Sequence, residues 1–141
     1  MSRSVGKVGE EGSLSVRAKL PLAAEIVVVY CRVRWAMNRE ELEALVARLR
    51  AARAEAGSLP RRGRFQLAGA VEKLLSVLPT DSRCLIRSLV LLALLERRGV
   101  ASTLVIGVQA EPEFSAHAWI ECEGEALLPS GGSRFARLTA I

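Results

Sequence analysis

The chain has 141 residues, half of them apolar and a quarter charged, the size and balance of one globular domain. Its formal charge is +5, but the basic residues, 17 of them Arg, are interleaved with 14 Glu, and no aromatic residues alternate with them as a nucleic-acid-binding surface requires. The most apolar N-terminal stretch, Leu20 to Cys31, is broken by Glu25 and falls short of the ~20 residues that span a bilayer.

No signal-peptide layout precedes that stretch, and the three cysteines, Cys31, Cys84 and Cys122, have no paired spacing that would suggest a disulfide framework or a zinc cluster. A cytoplasmic location is therefore expected. Residues 1–16 hold Gly6, Gly9 and Gly12 and no sustained apolar period, so a flexible N-terminus is expected, followed by one domain over 17–141. From Pro21 onward Leu22, Ile26, Val29, Tyr30 and Val33 recur at helical spacing, although the β-branched run Ile26–Val29 also suits a strand. Asn38 is a suitable N-cap for a second helix, Arg39 to about Glu55, with Leu42, Leu45, Val46 and Leu49 on its apolar face. Gly57 to Gly63 reads as a loop, and a third helix, about Phe65 to Leu78, ends at Pro79.

After Pro79 the pattern changes. Thr80, Asp81 and Ser82 are successive N-cap candidates, and Leu85 to Leu95 is apolar almost all round, which assigns this helix to the centre of the core. Arg97 and Arg98 suit the negative end of its dipole, and Gly99 is the expected C-cap. Beyond it three strands are expected: Ser102–Val108, Ser115–Cys122 and Glu125–Leu128. A two-residue loop at Glu123-Gly124 would place Ser130 opposite His117, and a three-residue loop would place Pro129 there.

Two residues in this second half carry reactive chemistry. Cys84 lies in the first turn of the apolar helix, where free backbone N–H groups and the positive dipole end favour a thiolate; a small apolar core residue is the alternative reading. His117, the single histidine, lies on a following strand and could complete a cysteine–imidazole pair. Cys31 lies in an apolar segment, and Cys122 alternates to the face opposite His117. Trp119 shares the face of His117 and reads as a packing residue.

The segment CLIRSLVLLALLERRGVASTLVIGV followed by FSAHAWIECEG resembles the transglutaminase-like leader peptidases of lasso-peptide biosynthesis, the stand-alone protease half of the B protein. The resemblance covers about Ala70 to Leu138. It implies an α+β, papain-like or transglutaminase-like fold with N-terminal helices followed by a small antiparallel sheet, Cys84 as nucleophile and His117 as base. It also implies a precursor-peptide substrate, a separate leader-recognition protein, an ATP-dependent cyclase acting on the freed core, and no metal or cofactor. A general transglutaminase-like amidase and a non-catalytic binding module of the same fold are the rival readings.

The chain departs from that family at one position. An aspartate some twelve residues after the histidine usually completes the triad, and here Pro129 stands in its place; Asp81, the only aspartate, precedes the cysteine. Glu121 lies four residues along the strand from His117, about 13 Å away and out of hydrogen-bond reach. Ser130, a backbone carbonyl or water remain as groups to orient the ring, and a Cys84–His117 dyad is the expected machinery.

Overall fold

The computed structural model describes residues 7–51, 59–77, 83–129 and 135–141, with side chains from Pro21 onward except that of Arg83. Four helices precede a four-stranded sheet: α1 Lys7–Met37, α2 Leu42–Ala51, α3 Arg61–Leu75, α4 Arg83–Arg97, then β1 Thr103–Gln109, β2 Ser115–Cys122, β3 Glu125–Ala126 and β4 Ala136–Ala140. The sheet is antiparallel in the order β3-β2-β1-β4. This is the expected α+β architecture.

α4 is the centre. From Leu89 to Leu95 its side chains are almost completely removed from solvent, because α1, α2 and α3 pack on it from one side and β1 and β2 from the other. Its end is set by Gly99, whose φ of 75° lets the Val100 amide donate to the Leu95 carbonyl at 2.9 Å while the Gly99 amide reaches Glu96 at 3.0 Å, a Schellman motif. Glu96, in the last turn, is fully buried. It faces the Arg50 guanidinium of α2 at 3.9 Å, and Arg50 also donates to the carbonyls of Ser102 at 2.9 Å and Ile141 at 2.6 Å. One side chain thus ties α2, the buried carboxylate, the entry to β1 and the end of β4 together.

Several expected boundaries move. Residues 7–16, expected to be flexible, belong to α1, which continues through Pro21; residues 1–6 lie outside the described part. Asn38 does not cap α2. Its amide closes α1 by donating to Trp35 and its side chain donates to the Arg34 carbonyl, so α2 begins only at Leu42. α3 starts at Arg61 rather than Phe65 because Pro60, in extended backbone, fixes the entry to the helix, and it ends at Leu75 with Ser76 as C-cap. Pro79 and the cap candidates Thr80 to Ser82 lie outside the described residues. β4 was not anticipated: its alternation is short and all five of its residues are exposed.

Candidate active site

Cys84 is the second residue of α4. It is half-buried, and its carbonyl accepts the Oγ–H of Ser88 at 2.7 Å, which satisfies a hydroxyl that is otherwise fully buried. The connection at Gly99 turns the chain back on itself. A 15-residue helix is about 22 Å long and a 7-residue strand about 23 Å, so β1 is long enough to run back the length of α4. β2 is antiparallel to it, and Gly107 of β1 pairs with His117 of β2. The turn at Gly99 and the lengths of α4 and β1 thus allow the sheet to carry His117 to the Cys84 end of α4.

The ring of His117 has defined surroundings. Its Nε2 lies 2.5 Å from the Pro129 carbonyl oxygen. A carbonyl only accepts, so Nε2 carries the hydrogen and Nδ1 is left as the basic nitrogen of the neutral ring. The imidazole stacks on Trp119, centroids 5.9 Å apart and planes 27° apart, and also meets Phe135 at 5.3 Å and 38°. Trp119 is buried, as its packing role requires, and its indole N–H donates to Glu121 at 2.9 Å.

Glu121 is committed elsewhere, its second oxygen accepting from Arg137 at 2.9 Å. Glu123 and Glu125 at the β2–β3 turn pair with Arg64 and Arg61 of α3. The guanidinium of Arg61, hydrogen-bonded to Glu125, holds that carboxyl below its ordinary range. None of the carboxylates on β2 and β3 is thus available to orient His117.

The turn itself follows the two-residue expectation. Cys122 pairs with Glu125, and both central residues, Glu123 and Gly124, have the positive φ (53° and 78°) that a type I′ turn needs. The Leu127 amide still bonds the Ile120 carbonyl, but the chain bends at 127–128 and presents the Pro129 carbonyl to His117. Ser130, the side chain considered as third member, lies outside the described residues. The backbone carbonyl, one of the anticipated alternatives, is the group bonded to the ring.

The three cysteines have different settings. Cys122 is buried on the face opposite His117, its thiol 3.4 Å from the Ala101 carbonyl, and burial pushes that thiol's pKa up despite the nearby Arg64. Cys31, placed by sequence in an apolar segment, is exposed on the outer side of α1. Cys84 alone stands in the first turn of a helix. Among the described residues no group of three His, Cys, Asp or Glu side chains is arranged to hold a metal ion, and no helix is long and apolar enough to cross a membrane. A groove of about 950 Å³ between α1 and α3, lined by Leu22, Ile26, Leu67 and Leu74 with Lys73 and Arg98 among its polar residues, includes neither Cys84 nor His117.

Two contributors to the site were missed by sequence reasoning. Phe135 stands in a tail with no periodic signal. Gly107 was legible only as part of the Ile-Gly-Val strand ending, and its reason is steric: a Cβ there would come within 2.8 Å of the Trp119 ring and 3.0 Å of Phe135 Cβ.

A central helix with a cysteine in its first turn packs on an antiparallel sheet that carries the histidine. The transglutaminase-like superfamily matches residues 27–140, and the chain belongs to it. That match takes in much of the N-terminal helical half as well as the motif-bearing segment. Comparison with curated proteins and with solved structures gave no significant match.

Proposed function

We propose that the chain is a cytoplasmic cysteine peptidase that removes the leader from a lasso-peptide precursor, with Cys84 as nucleophile and His117 as general base and acid. The observation that supports this most is the bond from His117 Nε2 to the Pro129 carbonyl, which leaves Nδ1 free to take the thiol proton. Cys84 Sγ would add to the carbonyl carbon at the leader–core junction as its proton passes to Nδ1, while backbone amides at the start of α4 stabilise the oxyanion. The imidazolium then protonates the departing amine, the C–N bond breaks and the core leaves. Water attacks the thioester, gives a proton to Nδ1, and releases the leader carboxylate and the thiol.

A carbonyl dipole stabilises imidazolium less than a carboxylate does, so this dyad is expected to turn over more slowly than a full triad. The leader is a flexible chain whose ordering opposes binding, so a separate leader-recognition protein would raise its effective concentration at Cys84. An ATP-dependent cyclase would then act on the freed core amine.

Mass spectrometry of precursor digests tests the reading. Cys84→Ala and His117→Ala should abolish cleavage, whereas Cys31→Ala and Cys122→Ala should retain it. Full activity in Cys84→Ala would end the cysteine-peptidase assignment. A non-catalytic module of the same fold would show no preferential labelling of Cys84 over the exposed Cys31 by a thiol-reactive probe at neutral pH. Cleavage at equal rates with and without the leader-binding partner would show that the chain recognises its substrate unaided.

A further inference from the structure

We propose that Gly107 and Phe135 are positioning residues for His117, closing an aromatic slot that lets a backbone carbonyl serve where a carboxylate is usual. A single hydrogen bond from Nε2 fixes one point of an imidazole but leaves the ring free to rotate about that contact. Orientation of Nδ1 therefore needs restraint on the ring itself, and the rings of Trp119 and Phe135, both packed against the imidazole, supply it.

Both rings depend on an absent side chain. Gly107 is the β1 residue in register with His117, and on its other edge it pairs with Arg137 of β4. The Trp119 ring lies over this position, with its Cζ3 and Cη2 atoms 2.8 and 2.9 Å from where a Cβ would stand, and Phe135 Cβ is 3.0 Å from the same point. An alanine would displace the indole, because real Cβ atoms essentially never approach another heavy atom that closely, and would press on Phe135, whose contact is already tighter than most. The β1–β4 register also shifts between Ile106 and Gly107, a local irregularity that re-aims the strand next to the site. Pro129 and Phe135 flank a single connection, so the carbonyl that holds Nε2 and the ring that covers the imidazole reach His117 from the same segment of chain.

The slot is a property of the fold, and its catalytic consequence rests on the peptidase reading above. His117 is the only histidine, so long-range ¹H–¹⁵N spectra report on it without assignment ambiguity. The wild-type chain should show an Nε2 proton protected from exchange and ring C–H signals displaced by the flanking aromatic rings. Phe135→Ala should lose both features and lower kcat by about 10- to 100-fold with KM unchanged, the scale of a misplaced catalytic group. Phe135→Tyr, which keeps the ring, should retain both. Gly107→Ala should act in the same direction as Phe135→Ala. If Gly107→Ala does not fold, the two Phe135 variants decide the matter, since that side chain is only partly buried at the margin of the core.

Wild-type His117 signals in Phe135→Ala, or equal loss in Phe135→Tyr, would overturn the proposal. Loss of the signals in Phe135→Ala, in a chain whose wild type cleaves no precursor, would leave the slot standing and overturn the peptidase reading instead.

Discussion

α4 and β4 are the extremes of this molecule. The helix from Leu89 to Leu95 is removed from solvent on every side, whereas all five residues of β4 are exposed, Leu138 to 65%. Yet the two regions contribute to one proposed site: α4 supplies Cys84, and the segment running into β4 supplies Phe135, with the Pro129 carbonyl just upstream. Dense packing fixes the helix of the proposed nucleophile, while a thinly buried edge of the sheet orients the proposed base. Precision at His117 therefore depends on a few specific contacts, and precision at Cys84 depends on the whole core.

The largest effect should come from the core side of that comparison. Leu92→Ala, which hollows a fully buried position, should destabilise the fold by about 2–5 kcal/mol in chemical denaturation, whereas Leu138→Ala on β4 should stay within about 0.5 kcal/mol. Equal losses at the two positions would show that β4 is more integral than its exposure implies.

A smaller effect is expected at Arg50, where the two regions are joined. Arg50→Met would leave the buried Glu96 with less compensation and release the Ser102 and Ile141 carbonyls, for a loss of about 1–3 kcal/mol. Native-state hydrogen exchange should show the Ile141 and Leu104 amides losing protection before the amides of α4.

The smallest effect belongs to the exposed pair at the β2–β3 turn. Arg61 holds the Glu125 carboxyl below its ordinary range, so the pair contributes stability above the unfolded carboxyl's pKa and loses it as pH falls through the folded one. Thermal melts of Glu125→Gln should differ slightly from wild type at neutral pH and converge with it in acid or high salt.

The legible parts of the fold were those where a local pattern has one physical solution. The leucines of α4 have no polar face to present, Gly99 stands where only a positive φ closes the helix, and Glu123-Gly124 favours a two-residue turn. The boundaries that moved had competing solutions. Asn38 can cap the next helix or close the previous one, and Pro60 can end a loop or begin a helix. Cys84 and His117 stood out because their residue types, and their places on a helix start and a strand, carry chemistry even before the fold is known.

The sequence by itself determined the buried helix and the hairpin and marked the two candidate catalytic side chains, because periodicity, turn chemistry and residue type act over a few neighbours. Only the tertiary structure decided what holds His117. The third partner is a main-chain carbonyl, a group every residue possesses and no sequence pattern marks, and it arrives through a bend after a two-residue strand. Gly107 matters through atoms of Trp119 and Phe135, distant in the chain, and that reason exists only once strands β1, β2 and β4 lie side by side.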